Sequence, residues 1–155
     1  MSQPSSHPLH NLTQTDQIDQ VVKDCVALVR QEVSKKKGLT GTIIKGGLKV
    51  IERIRPKILD DLFYGLLPSF VEQLTPLYDR FQQSTQETQE DFTAYLKRHT
   101  NEVSTALLAV TDRRAQTSKL SALVKIYRKM RPLAQDQING AIPALAQLLA
   151  RHGVK

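Results

Sequence analysis

The chain has a single cysteine, Cys25, no tryptophan, and only four Tyr and four Phe among 155 residues. One thiol cannot close an intramolecular disulfide, so a disulfide-built secreted scaffold is excluded and a reducing cytoplasm is the expected setting. Long hydrophobic runs are missing too. A membrane span needs roughly 18 or more consecutive apolar residues, whereas the apolar runs here are short, such as Ala106–Val110. Residues 1–15 contain no Lys or Arg and no apolar core, which does not fit a secretory signal. With Pro4, Ser5, Ser6 and Pro8 they read as a disordered tail. The remainder, 16–153, is expected to be one domain, long enough to bury a core without a metal or disulfide staple.

The residues of familiar active sites are also scarce. A di-iron bundle needs Glu-x-x-His pairs on two helices, and there are none. The histidines, His7, His10, His99 and His152, lack zinc spacing, and two of them fall in the tail. No Gly-x-Ser-x-Gly elbow occurs. Gly46-Gly47-Leu48 departs from the Gly-Lys-Ser/Thr of a phosphate-binding loop. Cys25 shares an apolar face with Val22 and Val29 and reads as an inert core residue. The acidic pairs Asp60/Asp61 and Glu90/Asp91 are adjacent in sequence. Adjacent helical residues diverge by about 100°, so neither pair is expected to share a proton. No catalytic residue, metal ligand or cofactor is expected, and the protein reads as non-enzymatic.

What is present is helical period. Apolar residues recur at three- and four-residue spacing from Ile18 onward. Helices are predicted over about 16–36, 41–55 and 57–83, the last running through Pro68 and Pro76 as one kinked helix or two. Thr13 or Thr15 would cap the first, and Gly38 would end it. Residues 84–90 are polar and predicted as a loop. Further helices follow from Asp91, from Thr100 or Asn101, from Thr117 or Ser118, and from Pro132, with Pro143 kinking the last before Gly153. No stretch alternates long enough to compete as a strand. The fold class is therefore all-α, a single-domain bundle of six or seven helices, several kinked by proline. Gly46, Gly47 and Gly140 inside helices suggest close crossings, and a kinked, Gly-notched bundle would suit an enclosed apolar groove.

The net charge of +7 is patterned along the chain. Residues 1–22 carry −2, residues 23–57 +7, residues 58–91 −6 and residues 92–155 +8, so two basic blocks flank an acidic one. Within them Lys45, Lys49 and Arg53 recur every four residues as a stripe, Lys125, Arg128 and Lys129 form a second edge, and Arg113 with Arg114 a third cluster. These eight are the anion-binding candidates. Basic amphipathic helices suit anionic lipid surfaces or acidic polymers. They also serve as solvated faces, and the acidic block could instead pair with them internally. Nucleic acid is less favoured, because the aromatics fall on predicted helical core faces rather than standing free for base stacking.

Gly38-Leu39-Thr40-Gly41, Leu66-Leu67-Pro68 with Phe70, Asp91-Phe92 with Tyr95-Leu96, and Leu107-Leu108-Ala109-Val110-Thr111-Asp112 with Arg114 resemble a family of small bacterial all-helical proteins of unknown function. The resemblance covers roughly residues 20–152 and implies one bacterial domain; it transfers no activity and no site. The expected role is a non-enzymatic binding or scaffolding protein whose basic faces meet an acidic protein or an anionic lipid surface. The alternatives are a nucleic-acid-associated basic protein and a carrier of a small apolar ligand.

Overall fold

A chain whose every long segment carries one apolar stripe satisfies those stripes by packing helix on helix. The computed structural model describes residues 7–155, the side chains of 85–88 excepted. It contains α1 (Ile18–Ser34), α2 (Gly38–Ile54), α3 (Ile58–Thr88), α4 (Phe92–Arg98), α5 (Thr100–Thr117) and α6 (Ser121–Arg151), preceded by one 3-10 turn at His10–Thr13. No strand occurs among the described residues, and the protein is an all-α bundle. None of the helices is long and apolar enough to cross a membrane.

Several expectations need correction. Residues 1–6 of the expected tail lie outside the described residues, but residues 7–15 are not a disordered tail. Leu9 and Leu12 are fully buried, and His7 Nδ1 accepts the Leu9 amide at 3.2 Å while His7 Nε2 meets Asp79 Oδ1 at 3.0 Å. Two leucines at this spacing are enough to dock the turn against the core. The loop expected at 84–90 shrinks to its end, because α3 continues to Thr88. Nor does the chain restart at Pro132: α6 is one helix through Pro132 and Pro143, as α3 is through Pro68 and Pro76. All four prolines are exposed, on the solvent side of their helices, where water can meet a carbonyl left without a donor.

The helix ends follow local chemistry, not always at the expected residue. Gln17, His99 and Leu120 precede α1, α5 and α6 without capping through their side chains, whereas Asp91 Oδ1 accepts the Ala94 amide at 2.8 Å and starts α4. Gly38, at φ +70°, opens α2 instead of closing α1. At the other terminus Gly153 takes φ +88°, and the amides of Gly153 and Val154 return to the carbonyls of Ala150 and Leu149. This double return folds Val154 back into the core, where it is 1% exposed.

The two 31-residue helices, α3 and α6, organise the bundle. Both touch α1, α2, α4 and α5, yet among the described residues they never approach each other within 8 Å, Cα to Cα. The other helices therefore bridge two walls. Near α4 the space is filled by Tyr78, Phe81, Phe92 and Tyr95, with the Tyr78–Phe92 rings edge to face at 4.9 Å and Phe81–Phe92 at 5.1 Å. Ser104, fully buried, donates to the Asn101 carbonyl and accepts from Gln135.

Candidate functional site

Farther along the same two walls the filling stops. A cavity of about 340 Å³ lies where α1, α3 and α6 face one another, with Ile44 of α2 and Leu107 and Thr111 of α5 completing the lining. From α3 come Phe63, Leu67, Phe70, Val71 and Leu74, and from α6 Ile138, Ala141, Ile142 and Leu145. From α1 come Cys25, Leu28, Val29 and Val33. The α1 sequence is apolar over more than one stripe, with Val22 and Val26 buried while Val21, Leu28, Val29 and Val33 line the cavity. That excess width fits a helix that seals a core and lines a cavity.

The lining contains few polar groups. Glu32 and Lys36 come from the end of α1 and the turn after it, and Lys35 Nζ holds Glu32 at 3.2 Å. Gln137 lines the cavity from α6, and its Oε1 is buried with no hydrogen-bond donor among the described residues. Burial, reinforced by the charge of Asp24, pushes the Cys25 thiol up to about 12. At neutral pH it therefore stands in the wall as the uncharged thiol. No group of three or more His, Cys, Asp or Glu among the described residues could hold a metal ion.

Thr111 also borders a second pocket, of about 260 Å³, between the ends of α2, α3, α5 and α6. Its wall is more polar. Arg55 Nε donates to Asp61 at 3.2 Å, Arg114 reaches in, and Tyr127 donates to Asp112 at 2.5 Å and meets Thr111 Oγ1 at 2.6 Å. Arg131 holds Asp112 through two hydrogen bonds, at 2.9 Å and 3.2 Å. These bonds, against the opposing effect of burial and with help from Tyr127, hold the Asp112 carboxyl below its ordinary range. Burial, then the Asp112 bond, pushes Tyr127 up to about 12. The network was not visible in sequence, where Tyr127 reads only as part of an apolar stripe.

The eight basic candidates are all exposed. Several acids are held by other cations: Glu52 by Arg30, Asp61 by Arg55, Glu90 by Arg98, Glu102 by Arg80 and Asp112 by Arg131. None of the eight takes part in an ion pair among the described residues. Lys45, Lys49 and Arg53 do share one side of α2, which crosses α6 where Gly47 meets Met130. A Cβ on Gly47 would overlap the Met130 sulfur, so the close crossing expected at this glycine is present. Gly140, by contrast, has open space around it and marks no crossing. Arg113 and Arg114 line a separate groove on α3 and α5, beside Gly65 and Glu72.

The cavity between α3 and α6 is thus lined almost wholly by apolar groups, unlike the pocket beside Tyr127. Comparison with known proteins finds no match among curated proteins or solved structures. Over residues 9–153, nearly the whole described bundle, the sequence matches a family of unknown function, DUF6918, and the chain belongs to that family.

Proposed function

We propose that this protein is a non-catalytic carrier that holds one small apolar ligand between α3 and α6. The cavity carries this reading. Side chains ordinarily close the space between packed helices, whereas here an apolar pocket of about 340 Å³ is left between them. It lies at the lower end of the roughly 300–1,000 Å³ of small-molecule sites. The mostly apolar walls favour a hydrocarbon body, since burying a charge among them would be costly. Gln137 Oε1 would accept a hydrogen bond from a ligand hydroxyl, and Lys36 stands at the polar end of the lining.

Calorimetric titration of the delipidated protein with dodecanol and dodecanoate tests the reading. Saturable one-to-one binding is expected, and Ala141→Phe, which fills the cavity from its wall, should abolish it while the thermal transition is retained or raised. Failure of both compounds to bind, or unchanged binding by Ala141→Phe, would overturn it. A second reading, recognition of an anionic partner through the basic faces, is supported by the lack of an ion pair, among the described residues, at Lys45, Lys49, Arg53, Arg113, Arg114, Lys125, Arg128 and Lys129.

A further inference from the structure

Large apolar side chains rarely stand exposed in one place without a reason. Among the described residues four do, and three of them are on α2: Leu39 at 80% exposure, Ile43 at 37% and Val50 at 44%. The fourth, Tyr64, already uses its hydroxyl, donating to Asp19 at 2.5 Å. With the exposed Gly46, positions 39, 43, 46 and 50 fall within an arc of about 60° at 100° per residue. They form one outward ridge along the helix. The inward side of α2 carries Ile44, Leu48 and Ile51, packed against the core. The helix therefore has two apolar faces, and the bundle covers only one.

The ridge has charged company of one sign. Lys49 and Arg53 flank it within about 100° on one side, with Lys45 just beyond, and Lys37 precedes its first turn. All four cations are exposed and lack an ion pair among the described residues. The single acid of α2, Glu52, is engaged by Arg30 at 2.5 Å. An apolar ridge beside free lysines complements an anionic bilayer surface. Side chains such as Leu39 can enter the headgroup boundary while the ammonium groups meet phosphate. An acidic polymer would use the cations and leave the leucine exposed.

We infer that α2 is a peripheral docking helix that lies on anionic lipid membranes through Leu39, Ile43 and Val50, oriented by Lys45, Lys49 and Arg53. The inner neighbour of the ridge, Ile44, lines the cavity, so docking would bring the cavity wall to the lipid surface. The docking surface is nevertheless separate from the cavity, and its failure would leave dodecanol binding untouched.

Flotation of the full chain with liposomes tests this. Vesicles of phosphatidylcholine with phosphatidylglycerol should bind it, and phosphatidylcholine alone should bind at least tenfold less. Leu39→Asp with Ile43→Asp should lower binding to the anionic vesicles about tenfold or more, and so should Lys45→Glu with Lys49→Glu. Lys125→Glu with Lys129→Glu, on α6, should change it less than threefold. The altered side chains are exposed, and an unchanged thermal transition will show that each variant is folded. Several outcomes would overturn the proposal: no binding at low salt, equal binding to neutral vesicles, or indifference to the aspartates at 39 and 43. So would concentration-dependent dimerisation abolished by Leu39→Asp without any vesicle binding, which would assign the ridge to a second copy. Salt-sensitive RNA binding that ignores Leu39, with no vesicle binding, would assign the cations to nucleic acid.

Discussion

At the α4 end of the bundle, Tyr78, Phe81, Phe92 and Tyr95 occupy the space between the long helices with rings 4.9 to 6.3 Å apart. Between the same helices, farther from α4, the walls are mostly aliphatic and about 340 Å³ is left open. The backbone arrangement is similar in both places, since α3 and α6 are held apart throughout and bridged by shorter helices. What differs is side-chain volume. The chain has four Phe, four Tyr and no Trp, and it spends half of its rings in one cluster. Phe63 and Phe70 reach the cavity, but Ala141 brings only a methyl group to its lining. Scarcity of large side chains, noticeable at once in the composition, becomes in three dimensions a filled end and a hollow one.

Truncating a ring on each side separates these regions most strongly. Phe92 is 1% exposed and touches three other rings. Phe92→Ala should cost about 3–5 kcal/mol, through lost burial and an uncollapsed hole. Phe70→Ala removes the same atoms from a wall that already borders a void, and should cost about half as much or less. Urea denaturation gives both values. Equal costs would mean that the hollow region closes in solution.

A smaller effect comes from the turn that seats α2 over the cavity. A Cβ on Gly41 would lie 2.7 Å from the carbonyl carbon of Lys36 and 2.8 Å from its oxygen, both backbone atoms that cannot rotate away. Gly41→Ala should therefore cost about 1–3 kcal/mol. Hydrogen exchange should rise in α1 and α2 and remain unchanged in α4. Uniform loosening would show that the two regions do not respond independently.

These contrasts also mark what could be read from the chain alone. The amphipathic stretches read as six or seven helices became six, because a stripe at the helical spacing has one efficient way of being buried. Pro132 misled because a proline predicts a break from its own missing N–H, while tolerance depends on whether the carbonyl it strands faces water, a property of the finished fold. Leu9 and Leu12 were hidden by their polar and proline-rich surroundings; two residues are too few to set a period. The cavity was the least legible feature. Ile138, Ile142 and Leu145 read as core from their spacing, and nothing in spacing distinguishes a residue that meets another side chain from one that meets a void. The basic stripe on α2 was legible, whereas its apolar companion Leu39 looked like part of a turn.

The mildest probe of the comparison is acid, because ion pairs tie the hollow region together. Asp24 of α1 takes hydrogen bonds from His152 at 2.7 Å and Gln20 at 2.9 Å, and Asp112 of α5 is held by Arg131 of α6. For Asp24 burial raises the carboxyl, but these bonds and the nearby positive charge bring it below its ordinary 3.8. Asp112 is lowered chiefly by Arg131, against burial. A carboxyl whose affinity for protons is weaker in the folded chain stabilises the fold when ionised. That contribution is complete above about 3.8 and disappears as pH falls through the lower folded values. Stability should thus show a decline below pH about 4 that Asp24→Asn and Asp112→Asn each make shallower. Because both acids anchor helices that line the cavity, amides of α1 and α5 should lose protection before those of α4. Simultaneous loss would mean that the aromatic end, despite its denser filling, does not hold once the α1–α6 and α5–α6 ties are released.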